Sequence, residues 1–91
     1  MPTPTRSVQL PWGTATVEAV VCVPARHGET TEIGAALLRE RESGAALMRL
    51  FYRRDGRVMR GPVTLCAAEA AALAAEAKHH PALQRLLRAL G

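Results

Sequence analysis

Aromatic side chains are scarce in this chain: among its 91 residues, Trp12, Phe51 and Tyr52 are the only large rings. Seventeen residues are alanine, a side chain that buries little area. A core built from such material is thin for a monomer of this length, and pairing with a second copy is a common remedy. The composition therefore points to a homodimer. Cysteine is also rare. Cys22 and Cys66 lie far apart without a CxxC pair, which excludes a dense disulfide framework, and their spacing to His27, His79 and His80 fits no zinc pattern. No stretch approaches the roughly 20 apolar residues of a membrane span. The opening MPTPTRSVQLPW lacks the apolar segment of a secretory signal. The expectation is a soluble, cytoplasmic protein with both thiols reduced and no membrane partner.

Catalytic signatures are missing as well. Gly13, Gly28, Gly34, Gly44, Gly56 and Gly61 are isolated, so no glycine-rich loop cradles a phosphate. The acidic residues show no pairing suited to general acid–base work. Cys66 precedes a helical pattern, where a thiol pKa falls, but it also reads simply as a small residue at a strand–helix join. His79-His80 before Pro81 reads as polar residues at a helix break. The expectation is a non-enzymatic protein without a cofactor.

Positive charge is what the chain does have. The net charge is +4, and eleven of the twelve cations are arginine. Residues 33–60 carry seven of these arginines against Glu40, Glu42 and Asp55. Such a block favours anionic partners such as nucleic acid, although arginine also serves as an ordinary cation on solvated faces.

The strongest local signal is Asp55-Gly56 between two apolar runs, the pattern of a type I′ hairpin turn. With that loop, Arg54 faces Arg57, Arg53 faces Val58, Tyr52 faces Met59, Phe51 faces Arg60 and Met48 faces Val63. Alternation then puts Met48, Leu50, Tyr52, Met59, Val63 and Leu65 on one face, which reads as core. The other face carries Arg49, Phe51, Arg53, Val58, Arg60 and Thr64, an aromatic ring among three guanidinium groups.

Residues 1–11 read as an irregular lead-in because of their prolines, and Trp12 as a lid over the core. Thr14 to Val23 reads as a strand with Ala15, Val17, Ala19, Val21 and Val23 on one face. Ile33 to Glu42 fits a helix or a strand. Strand is preferred, with Ser43-Gly44 as a turn, because a two-stranded ribbon is marginal alone. Pro62 marks residues 61–65 as an edge strand or a bulge. From Cys66 an Ala-rich helix begins, with Glu69 at the capping-box position. After Pro81 a second helical piece carries the stripe Leu83, Leu86, Leu87 and Leu90. The expected architecture is one α+β domain over residues 1–91. It comprises a four-stranded antiparallel β-meander within residues 12–65 and a C-terminal helical segment over residues 67–90 with a break near Pro81.

Within residues 37–78, Arg49-Leu50-Phe51-Tyr52, Asp55-Gly56, Arg60-Gly61, Val63-Thr64-Leu65, and Glu69 with Leu73 follow one another in a set order. In this the chain resembles the single-stranded-DNA-binding transcriptional coactivator family. The resemblance implies a curved antiparallel sheet followed by a helix, a dimer, and transcription-associated binding of single-stranded nucleic acid with little sequence preference. On that expectation Arg49, Arg53 and Arg60 contact phosphates and Phe51 stacks on a base, while Arg39, Arg41, Arg54 and Arg57 widen the basic field. DNA and RNA are not separated by it. The alternative is a protein-interaction or oligomerisation domain without nucleic-acid affinity. The first reading requires Phe51, Arg49 and Arg53 to be exposed. The second requires Phe51 to be buried and the arginines paired.

Overall fold

The computed structural model describes residues 6–25, 30–59 and 61–89. Five strands form one curled antiparallel sheet in chain order: β1 (Arg6–Leu10), β2 (Gly13–Pro24), β3 (Thr31–Glu40), β4 (Ala46–Arg54) and β5 (Arg57–Met59). Two helices follow, α1 (Ala67–Glu76) and α2 (Pro81–Ala89), joined by a 3₁₀ turn at Ala77–His79. The α+β meander thus has five strands rather than four. The additional strand is β1, in a stretch whose prolines suggested irregular chain. Pro11 falls in the turn between β1 and β2, where its missing N–H costs no ladder bond.

The ambiguous stretch after Thr31 is strand β3, paired along both edges. The last hairpin has the expected register, Arg54↔Arg57, Arg53↔Val58 and Tyr52↔Met59. Its turn uses Asp55 at φ 51° and Gly56 at φ 79°, the left-handed pair that a type I′ turn demands. The partner expected for Phe51, Arg60, lies outside the described residues. Residues 61–65 are not a strand, so Val63 does not pair with Met48. Val63 and Leu65 instead pack against the helix-side core.

That core fills one face of the sheet. Ala19, Val21 and Val23 from β2 and Ile33, Ala35 and Leu37 from β3 meet Leu73, Ala74, Ala77, Leu83 and Leu87 from the helical segment. The alanines of α1 leave room for Leu73 to reach the sheet, and the Leu83–Leu87 stripe of α2 closes beside it. Leu90 lies outside the described residues. The N-terminus of α1 is capped where the sequence placed it: the backbone N–H of Cys66 donates to Glu69 Oε1 at 3.0 Å.

A bulge corrects the reading of β2. Val17 pairs with Leu38 but Ala19 pairs with Leu37, so Glu18 is an extra residue in the ladder. The side-chain alternation reverses there. Ala15 and Val17 therefore lie on the face opposite the helices, while Ala19, Val21 and Val23 lie beneath them. On the open face Ala15, Ala36, Leu38, Leu10 and Phe51 form a second buried cluster, edged by Val8, Val17, Cys22 and Leu47.

Gly34 explains the place of Phe51 in that cluster. The two are cross-strand partners, and a Cβ built on Gly34 would lie 2.4 Å from Phe51 Cζ. The ring thus occupies the space that any other residue at position 34 would fill. Gly34→Ala should cost about 1–3 kcal/mol in urea denaturation, and less in a Phe51→Ala background. Equal costs in the two backgrounds would show that ring and glycine are not coupled.

Candidate interaction surface

Strand register arranges the open face in rows. Pro24, Glu32, Arg53 and Val58 lie side by side across β2 to β5. The next row is Cys22, Gly34 and Phe51, and the one after it Val20, Ala36 and Arg49. Beyond the bulge follow Arg6, Val17, Leu38 and Leu47.

The expected nucleic-acid residues are divided among these positions. Phe51 is only 9% exposed and lies over Gly34, so its faces are not presented for base stacking. Arg53 closes on Glu32: Nε and Nη2 both donate to Oε1, at 3.0 and 2.8 Å. This carboxylate hydrogen bond holds the Arg53 guanidinium more firmly protonated than usual. Arg49 shares the face, is exposed, and has no carboxylate partner among the described residues. Arg39 belongs to the helix-bearing face and is bound to Glu18 at 3.1 Å and to the Gly44 carbonyl at 3.0 Å. Arg41 lies in the β3–β4 turn and donates to Ser7 Oγ at 2.9 Å. Arg54 and Arg57 stand opposite one another at the hairpin tip, on the helix-bearing side. Arg60 lies outside the described residues. Of the eight, Arg49, Phe51 and Arg53 share the open face, with the ring buried and one arginine neutralised.

Apolar exposure on the same face is more telling. Val20 is 43% and Val58 65% exposed, at opposite ends of the rows that flank Phe51. Cys22, half-buried beside Phe51, has its thiol pKa pushed up by burial, opposed by nearby Arg53 and reinforced by Glu32. It is a poor nucleophile there. No group of three or more potential metal ligands comes together among the described residues, and no described helix is long and apolar enough to cross a membrane.

Trp12 is not a lid. At the β1–β2 turn it is 65% exposed, and its indole N–H donates to Glu40 Oε2 at 2.8 Å. The other oxygen, Oε1, accepts from Ser43 Oγ at 2.7 Å. These two donors, Ser43 first, hold the Glu40 carboxyl below its ordinary value of 4.5. Glu18, Glu32 and Glu40, which tie down the two arginines and the tryptophan, escaped sequence reasoning because their partners lie 21 or 28 residues away. The bulge, which has no sequence signature, hid the place of Ala15 and Val17 on the open face.

Because the folded-state pKa of Glu40 is depressed, its stabilising tie is present above 4.5 and is lost as pH falls through the lower folded value. The emission of Trp12, the single tryptophan, should therefore shift in acid below pH 4.5, and Glu40→Gln should remove that transition. A wild-type spectrum unchanged through the acid range would contradict the contact. Comparison with other proteins adds no relative: no protein-family model, curated protein or solved structure matches the chain.

Proposed function

We propose that this chain is a non-enzymatic interaction domain that self-associates through the open face of its sheet. The observation that carries this reading is the state of the arginine–aromatic row. Phe51 is packed into the sheet and Arg53 is paired with Glu32, while Val20, Pro24, Val58, Arg6 and Arg49 are exposed, Arg49 without a carboxylate partner among the described residues. Exposed valines interspersed with charge, and a buried ring, suit a protein surface better than a nucleic-acid strand, which needs an accessible ring.

The open face also complements itself. Both Arg53 donors use Oε1 of Glu32, whose side chain keeps 40% of its exposure. Glu32 and Arg49 sit on either side of the Gly34–Phe51 pair. A twofold arrangement that laid one open face on another would bring Arg49 of each copy to Glu32 of the other, the reciprocal pattern of an isologous interface.

Sedimentation velocity tests this. The wild-type protein should form a dimer in the micromolar range, and Val20→Asp and Arg49→Glu should each shift it to monomer without loss of far-UV circular dichroism. A wild-type protein that is monomeric at every concentration, or a dimer indifferent to both substitutions, would overturn it.

A second reading rests on a separate observation. Arg54 and Arg57 occupy one cross-strand position, and like charges so placed repel unless an anion joins them. On this reading the hairpin tip contacts phosphates of single-stranded nucleic acid, as expected of a transcription-associated DNA-binding protein, but without Phe51 as the stacking ring. Fluorescence anisotropy of a labelled oligonucleotide should then show saturable binding that weakens with salt and is lost in an Arg54→Ala, Arg57→Ala double variant. Absence of binding at low salt would eliminate it.

A further inference from the structure

Between the tip of the β4–β5 hairpin and the start of α1 lies a cavity of about 260 Å³, walled by Thr31, Tyr52, Arg54, Met59, Thr64 and Glu69. It is on the helix-bearing side and has no part in the open face. Its walls differ in character. Tyr52 and Met59 are cross-strand partners and supply an apolar side. The Tyr52 hydroxyl donates to the Thr64 carbonyl and accepts from the Thr64 N–H, which fixes the ring.

Arg54 supplies the polar side. Its Nε donates to Thr31 Oγ1 at 3.3 Å, and no carboxylate among the described residues pairs with it. The facing Arg57 adds a second positive charge at the same cross-strand position. A carboxylate received by the guanidinium fork would relieve that repulsion and make charge-assisted hydrogen bonds. The Glu69 carboxylate, which caps α1 through the Cys66 N–H, also lines the cavity. The volume is below the roughly 300–1,000 Å³ of sites for drug-sized ligands, which restricts the occupant to a single ring or a short branched chain.

We propose that this cavity binds a compact organic monocarboxylate, its carboxylate on Arg54 and its apolar body against Tyr52 and Met59. The site is independent of self-association but shares Arg54 with the phosphate-contacting hairpin tip; titration with phosphate and with benzamide tells the two apart.

The test is a ¹H–¹⁵N correlation titration of the full chain with sodium benzoate, its neutral isostere benzamide, and inorganic phosphate. Benzoate should perturb the amides of Thr31, Tyr52, Arg54, Met59 and Thr64 saturably. Benzamide and phosphate should each bind about tenfold more weakly, one lacking the charge and the other the ring. Arg54→Gln should bring benzoate down to the level of benzamide while amides remote from the cavity keep their positions. Equal binding of benzoate and benzamide would overturn the role of Arg54, and equal binding of phosphate would overturn that of the apolar wall. Undiminished benzoate binding in Arg54→Gln, or no perturbation of these amides at all, would overturn the site.

Discussion

A missing side chain governs the open half of this molecule. Position 34 is glycine, and the space above its Cα is filled by the Phe51 ring from the neighbouring strand. That contact turns the ring inward, gives the second cluster its largest member, and leaves the small residues of β3 covered although no helix lies over them. It also decides the chemistry of the surface. With the ring withdrawn and Arg53 folded onto Glu32, a stretch that looks like an aromatic–cation strand offers solvent neither its ring nor, among the described residues, an unpaired Arg53.

The two faces of the sheet have different sources of order. The helix side is a conventional layered core, with aliphatic strand residues under two leucine-bearing helices. The other side relies on curl and on the Glu18 bulge, which shifts the alternation of β2 so that both of its ends place apolar residues inward. Bulges of this kind raise local twist and bend a strand. The Arg39–Glu18 pair fastens the bulged residue to the next strand, although an exposed pair of this kind adds little stability.

Local signals in the sequence were informative and distant ones were not. The Asp55-Gly56 turn set the register of the last hairpin because the backbone angles it needs belong to those two residues alone. The Ala-rich helix, its Glu69 cap and the break before Pro81 were readable for the same reason. The first strand was obscured by Pro2, Pro4 and Pro11, although Arg6–Leu10 pairs regularly with β2. The burial of Phe51 depends on a glycine 17 positions away, and the exposure of Trp12 on a carboxylate 28 positions away. Neither partner is marked by any motif. The amphiphilic cavity is equally non-local, since it arises where a hairpin tip meets a helix start.

Every strand pairs with its neighbour in sequence. Ordering each hairpin therefore closes only a short loop, and contacts of this kind form early and quickly. In a chain synthesised from its N-terminus, the sheet can assemble before α1 and α2 exist to cover it. During that interval Val21, Val23, Ile33 and Leu37 form a bare aliphatic surface, which stays adhesive until the leucines of the helices dock. The helices, made after the strands, thus act as the sheet's own shield against aggregation.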